Sequence, residues 1–349
     1  MQVFLRKGRG DRAVLKQQGI GHLVNGIFLD FSLGVGDNHF VDFHAIEFVG
    51  AADQLGLGAV RAVKDTGNPV LQSKGLVEVV VTLSEFVYRV FHCLDILSNS
   101  YIDYLILEVG LGGRLDATNI VDSDISIITS IGIDHTEFLG NTIDSIALEK
   151  AGVMRPFKTC IYAQEKPPAA LLKYAKNKSV NLLIHNNDYQ VNLGISNWTL
   201  KSKHKFIKEI PNLKMVGDYQ YNYAAASLLA LNEILPECLE DYDVTKKALS
   251  ETEISGRFQY LSKSPDIILD VAHNEDAARS LSDNIKRIGY DKIIVVLGVL
   301  ADKDVYSIVE PFSSLVDHWY IGTINSERGM NSDEIKFRIN SIYKNKLSI

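Results

Sequence analysis

The chain has 349 residues, enough for two domains of ordinary size, and its 46% hydrophobic and 23% charged residues are the balance of a globular protein. A net charge of −7 without any dense Lys/Arg run argues against a nucleic-acid partner. Three scattered cysteines, Cys93, Cys160 and Cys238, exclude a disulfide framework or a zinc spacing, and no stretch approaches the roughly 18 apolar residues of a membrane span. Together with a start that shows no charged n-region or apolar h-region, this predicts a cytoplasmic protein that makes no membrane contact.

Residues 1–80 hold 12 of the 25 glycines but only three isoleucines, whereas the remainder is rich in Ile, Asn, Lys and Tyr. Weak alternation in GIFLDFSLGVG and FVDFHAIEFVG predicts β or irregular structure there. Order begins near residue 83. LSEFVYRVFHCLDILSN reads as a helix, YLILEVG as a strand buried on both faces, and DISIITSIGID as a second buried strand. From Asn141 to Lys150 an Asn/Thr capping signal, helix formers and a stop at Gly152 predict a short helix. After a less regular stretch, GDYQYNYAAASLLALNEIL reads as an Ala- and Leu-rich helix that closes the first domain.

Beyond Ser255 the order is strand DIILDVAH, helix EDAARSLSDNIKRIG, strand KIIVVLGVL, helix DVYSIVEPFSSL, strand DHWYIGTI and a final helix from about Ser332, with no last strand after residue 330. A βαβαβα progression predicts a parallel sheet covered by helices, with ligands at the carboxyl ends of its strands. The expected organisation is therefore an atypical segment over 1–82, a central domain over 83–254 and a C-terminal domain over 255–349, with a cleft between two α/β domains.

The sharpest chemistry lies in ILEVGLGGRLDATN, residues 106–119, where a strand delivers Glu108 straight into a glycine-rich turn. A buried carboxylate costs several kcal/mol unless a cation or donors satisfy it, so either a metal-bound phosphate or the turn amides must do so. Asp134-His135 ends the second strand segment, and His135 could share one ion with Glu108 or serve as hydrogen-bonded structure. Lys150, at the end of the short helix, could equally complement the negative helix terminus. In the second half Arg257, Asp270, His273-Asn274 and Lys303-Asp304 fall at strand ends and turns, where Arg suits phosphate and Asp suits a ribose hydroxyl. A dinucleotide fingerprint fails, because the third glycine position after Gly110 and Gly112 is Leu115.

LILEVGLGGRLDATNIV, TSIGIDHTEFLGNTIDSIALEKAG, SGRFQ followed by LDVAHN, and GVLADKD closely resemble bacterial dihydrofolate synthase/folylpolyglutamate synthase, of the Mur-ligase superfamily. The resemblance implies an α/β fold, with an incomplete Mur-ligase-like N-terminal ATPase domain and a Rossmann-like C-terminal domain. It implies an ATP-dependent ligase that activates the carboxylate of dihydropteroate or a folate as an acyl phosphate, for attack by the amine of L-glutamate. ATP and two magnesium ions are implied as cofactors, with a potassium or other monovalent cation left open, and a monomer is expected. By the same resemblance Glu108 and His135 hold magnesium, and Lys150 is carbamylated and joins them. Arg257, Asp270, His273 and Asn222 contact ATP, and Leu115, Asp116 and Ala117 belong to the pteroate pocket.

The departures are equally specific. The family begins with a strand and a GTNGKGS-type loop, but no Gly-Lys dipeptide occurs in the 349 residues, and RKGRGDR at 6–12 has no Ser or Thr after its Lys. The SPH-containing loop is missing, and Tyr223 stands at the position of the ATP-binding Asn, beside Asn222. Residues 1–80 thus read as a replacement of the family's start, of the sort a frame or gene-boundary change produces, and as one that leaves a central strand position uncovered. Two other readings follow: a remnant that binds folate or nucleotide without catalysis, and a different Mur-type amino-acid ligase, which the GRLDATN and DHTEFLG wording favours less.

Overall fold

A computed structural model describes residues 104–343, apart from 204, 240 and 241, together with 2–7, 32–35, 39–42, 48–49, 59–60, 90, 92–94 and 347–348. It divides into two compact units, Met1–Asn212 with Tyr221–Thr252, and Leu213–Gln220 with Glu253–Ile349. Among residues 1–80 the β expectation holds for Ser32–Val35 paired with His39–Asp42 and for Phe48–Val49 paired with Ala59–Val60. Of the expected 83–99 helix, Val90 and His92–Leu94 are helical and the rest lies outside the described residues.

The first unit is built on a five-stranded sheet. Its strands are β1 (Gln2–Lys7), β2 (Tyr104–Glu108), β3 (Ile125–Ile128), β4 (Thr159–Tyr162) and β5 (Asn181–Ile184), in the order β2-β1-β3-β4-β5. β3, β4 and β5 pair in parallel. Between β3 and β5 lie the short α1 (Thr136–Leu139), α2 (Ile143–Ala151) and α3 (Ala169–Asn177). Ile128, Cys160 and Tyr162 of the sheet meet Ile146, Ala147 and Ala151 of α2 and Leu171 and Ala175 of α3 in one core. β3 and β4 are buried along their whole length, as both-face burial of parallel strands requires. β2 departs from that expectation: it is half-buried and Glu108 is exposed, because β2 is the edge strand.

The expected gap in the sheet is filled. β1 lies between β2 and β3 and is antiparallel to both, with Val3 opposite Glu108 and Lys7 opposite Tyr104 on one side, and Gln2 opposite Ile128 on the other. Because β1 opposes both neighbours, β2 and β3 run the same way and their carboxyl ends share an edge. A second sheet follows, antiparallel β6 (Tyr189–Leu193), β7 (Asn197–Ser202) and β8 (Phe206–Pro211), in a stretch where no clear period was legible. Trp198 is fully buried there, donates from Nε1 to Pro211 O at 3.0 Å, and meets the Tyr221 ring edge-on at 5.6 Å. α4 (Asp218–Ile234) and α5 (Tyr242–Glu251) complete the described helices of this region.

In the second unit β9 (Gln259–Lys263) and β10 (Asp266–Leu269) form an antiparallel hairpin. This corrects the βαβαβα expectation at its first strand: β10 pairs with β9, not with the parallel sheet. That sheet is β11 (Ile294–Leu297), β12 (His318–Ile321) and β13 (Leu347–Ser348) in order, all parallel, so a short last strand does follow residue 330. α6 (Glu275–Ile288), α7 (Val305–Val309) and α8 (Ser332–Tyr343) supply Ala278, Val305, Ile308, Val309, Ile335 and Ile339 to a core shared with Trp319 and Ile321. Asn274 caps α6, accepting from Ala277 N at 3.0 Å, and Gly289 ends it in the left-handed conformation at φ 78°.

No described helix is long and apolar enough to cross a membrane. Cys93 and Cys160 are free, and burial pushes the Cys160 thiol up to about 12, which makes it inert.

His185, just after β5, is 6% exposed, and neither ring nitrogen has a hydrogen-bond partner. Burial holds its pKa below the ordinary value, with the Glu165 carboxylate opposing. The unfolded chain therefore binds a proton that the folded chain refuses, so stability is lost as pH falls through the ordinary histidine range. We predict that His185→Phe stabilises the protein by about 1–2 kcal/mol, the scale of an unsatisfied buried polar group, and by more at pH 5 than at pH 8. Denaturant unfolding at both pH values measures this, and an equal effect at the two would refute the titration argument.

Candidate active site

The site is best built from two segments that dock on each other. After β2 the chain turns through Gly110–Gly113 into a 3-10 helix, Ala117–Ile120. Asp116 organises that turn. Its Oδ2 accepts from Gly110 N at 3.0 Å and Leu111 N at 3.2 Å, and its Oδ1 accepts from Thr118 N at 2.9 Å and Thr118 Oγ1 at 2.6 Å. A carboxylate drawing in so many local donors fixes the loop before any ligand arrives. Leu115 beside it is 78% exposed and Ile120 65%, so the turn presents apolar side chains outward.

The second segment is α2. Thr142 caps it with a capping box, accepting from Ser145 N at 3.1 Å while Ser145 Oγ accepts from Thr142 N at 3.2 Å. At its far end Arg114 N donates to Glu149 O at 2.8 Å, and the Arg114 guanidinium reaches Glu149 Oε1 at 2.8 and 3.1 Å. Gly152 passes so close that a Cβ there would lie 2.4 Å from Arg114 Cα. Asn119 Nδ2 donates to both Arg114 O and Gly152 O at 3.1 Å. The GGRLDATN and EKAG motifs are thus two halves of one contact.

Lys150 lies between Glu149 and Gly152 in sequence. Burial lowers its pKa, and the Asp134 carboxylate opposes the shift, which puts Lys150 in the field of Asp134. Asp134 Oδ1 in turn accepts from His135 N at 2.8 Å, and its Oδ2 lies 3.9 Å from His135 Nε2. His135 holds φ +49°, a left-handed conformation uncommon outside glycine, at the start of α1. The structure therefore links Lys150 to Asp134, the chain neighbour of His135. Glu108 is at the same sheet edge, but β1 separates its strand from that of His135, so the two strand ends are not neighbours. Among the described residues no three or more His, Cys, Asp or Glu side chains gather as a metal site. Asp134 and Arg155, which binds both segments, were missed in the sequence; only adjacency to His135 and to EKAG pointed at them.

In the second unit an equivalent clasp joins SGRFQ to LDVAHN. Asp270 Oδ2 accepts from Phe258 N and Oδ1 from Ala272 N, both at 2.8 Å, and Val271 N donates to Gly256 O at 2.9 Å. Gly256 has φ +70°, and a Cβ there would meet Val271 at 2.7 Å. Arg257 is exposed at the tip of this turn. Burial raises the pKa of Tyr219, with Asp270 also raising it and Arg257 opposing, so this phenol lies in the field of both. His273 Nδ1 lies 2.9 Å from Val271 O, which can only accept, so Nδ1 carries the proton. Asp304 caps α7 through Tyr306 N at 3.0 Å, and Lys303 lies 3.5 Å from Asp302. Asn222 is half-buried on α4 beside Tyr223.

Family comparison agrees with this anatomy. Residues 82–230 match the Mur ligase middle domain and residues 256–346 the Mur ligase glutamate ligase domain. These are the two domains of an ATP-dependent amide-forming class, and the relatives narrow it. Dihydrofolate synthase/folylpolyglutamate synthase of Haemophilus influenzae is 33% identical over 76% of this chain and 63% of its own length. That of Escherichia coli is 34% identical over 73% and 59%. Among solved structures, E. coli FolC in complex with DHPP and ADP superposes with a TM-score of 0.61 at 32% identity, covering 67% of this chain and 55% of that one. The Yersinia pestis bifunctional enzyme complexed with AMPPNP and Mn ion gives 0.60 at 34%, with 67% and 55% covered. The chain belongs to the Mur-ligase superfamily, in its dihydrofolate synthase/folylpolyglutamate synthase branch. It spans about 60% of the length of the curated relatives it matches.

The tight approach at Gly152 makes a direct prediction. Gly152→Ala should destabilise the first unit by at least the 1–3 kcal/mol typical of overpacking, since the new methyl meets backbone and not a movable side-chain tip. Thermal unfolding of the variant checks it; an unchanged melting temperature would mean that the two motifs do not dock.

Proposed function

We propose that the residues described here are those of an ATP-dependent ligase that joins L-glutamate to dihydropteroate or to a glutamylated tetrahydrofolate, and that as a 349-residue chain they lack the phosphate cradle. The observation that carries the ligase reading is the docking of the GRLDATN turn on the EKAG helix end, Arg114 N on Glu149 O and Asn119 Nδ2 on Gly152 O, with the half-buried Lys150 between them in sequence and in the field of Asp134. The named relatives and the nucleotide, DHPP and Mn complexes of solved neighbours support it. Cytoplasmic placement, a monomer, and two magnesium ions belong to the same reading.

In that chemistry the substrate carboxylate attacks the γ-phosphorus of ATP, ADP leaves, and the glutamate amine attacks the resulting acyl phosphate, releasing phosphate and a proton. Leu115 offers an exposed apolar edge to a pteroate ring beside the half-buried Ala117, while Asp116 holds the turn in shape. A lysine held below its ordinary pKa keeps more of its amine unprotonated, and an unprotonated Nζ can add to CO2, losing a proton to give a carbamate anion. In this reading Glu108, His135 and carbamylated Lys150 would hold magnesium, Glu108 from a strand end that β1 separates from that of β3, and phosphate oxygens and water would complete the shell. When bound, the ion screens carboxylate from phosphate and stabilises the charge that develops between them. Arg257, Asp270, His273 and Asn222 are the nucleotide-binding residues of the reading.

The antiparallel course of β1 is the observation against turnover by this chain. RKGRGDR follows the strand end that lies opposite Tyr104, at the amino edge of β2, whereas Glu108 is at the carboxyl edge. RKGRGDR therefore begins at the edge opposite the one that bears Glu108. One preorganised donor aimed at developing charge is worth roughly 3–4 kcal/mol, and a loop supplies several. Residues 1–349 should therefore show little glutamate-dependent ADP release with dihydropteroate or tetrahydrofolate. Turnover within the roughly 1–1000 per second of ordinary enzymes would overturn this. Independently of turnover, 13C-bicarbonate should yield a carbamate resonance in the wild type that Lys150→Met abolishes; a spectrum unchanged by the substitution would remove Lys150 from the reading.

A further inference from the structure

Arg155 closely follows the EKAG motif, and no step of the chemistry above uses it. Its side chain is 16% exposed, and all three guanidinium nitrogens are engaged. Nε donates to Asp122 Oδ1 at 2.5 Å. Nη2 donates to Asn119 O at 2.8 Å, Asn119 Oδ1 at 3.0 Å and Val121 O at 3.2 Å. Nη1 faces the carbonyls of Gly152 and Val153 at 3.2 Å and Met154 at 3.4 Å.

These acceptors fall into two groups that are about thirty residues apart in sequence. Asn119, Val121 and Asp122 end the 3-10 helix that begins beside Leu115 and Asp116. Gly152, Val153 and Met154 follow the last turn of α2, which carries Lys150. A helix end leaves carbonyls without partners, and a cation near that end is also favoured by the helix dipole. Arginine meets this demand with a planar fork that reaches both groups at once, and a lysine ammonium on a single stem cannot reproduce that span. Neighbouring contacts act in the same direction, with Asn119 bridging Arg114 O and Gly152 O and Ser123 Oγ donating to Val153 O at 3.5 Å, and Arg155 adds Val121 and Asp122.

We propose that Arg155 is a positioning residue, whose fork locks the turn bearing Leu115, Asp116 and Ala117 and the helix bearing Lys150 into one rigid body. The locking itself needs no assumption about activity; its catalytic meaning, a fixed register between substrate and carbamate, rests on the function proposed above. Loss of the fork lets the two segments open separately from the sheet behind them.

Hydrogen exchange on the full chain tests this in wild type, Arg155→Lys and Arg155→Ala. Amides of residues 117–122 and 149–154 should exchange at least about tenfold faster in both variants, while amides of β4 and β5 keep their rates. The proposal is overturned if Arg155→Lys restores protection, if only one segment responds, or if β4 and β5 loosen to the same degree. Should Arg155→Ala fail to fold, the lysine variant decides alone. A second measurement separates this proposal from the function it serves. The Lys150 carbamate signal from 13C-bicarbonate should fall at least about threefold in Arg155→Lys. No carbamate in the wild type would sink the carbamylation reading and leave the exchange result to judge Arg155.

Discussion

Backbone polar groups that are taken out of water need partners, and at the end of α2 this requirement shapes the site around it. The glycine-rich turn comes so close to Gly152 that the carbonyls there are partly withdrawn from water, and a buried one left unpaired would cost about 1–3 kcal/mol. Arg114 N, Asn119 Nδ2 and the Arg155 fork supply the missing donors from the turn's own neighbourhood. Lys150 sits two residues before Gly152, where burial lowers its pKa and the Asp134 carboxylate opposes the shift.

The second unit uses the same device in a smaller form. Asp270, directly after a strand, spends its oxygens on backbone amides as Asp116 does, and Gly256 provides the close approach. Both aspartates were assigned to ligands by resemblance. The geometry gives each a prior duty, holding a loop open in one shape, and any ligand contact must use the lone pairs that remain.

Much of this was legible in the sequence wherever one residue type has only one good use. The Thr142 cap and the stop at Gly152 were read from local signals that tertiary structure had no reason to override. The Ala-rich pattern of α4 was equally plain. The antiparallel β6-β7-β8 sheet was not, since its strands mix exposed Lys and Asn with a few buried anchors such as Trp198 and Leu200. Pairing of β10 with β9 was hidden for a different reason: DIILDVAH carries the apolar run of a buried parallel strand, yet its Ile267 and Leu269 are exposed on a hairpin. For the site, motif wording named Lys150 and His135, but the parts that hold them depend on contacts across about thirty residues, which no local pattern encodes.

The antiparallel β1 has a wider meaning. Sheet hydrogen bonding asks only for an extended chain of suitable register and accepts either direction, whereas phosphate recognition depends on which end of a strand meets the ligand edge. An extended segment can therefore complete this sheet whichever way it runs. Whether a sheet folds and which end of its strands meets a ligand are thus separate properties of the same strand position, open to separate selection.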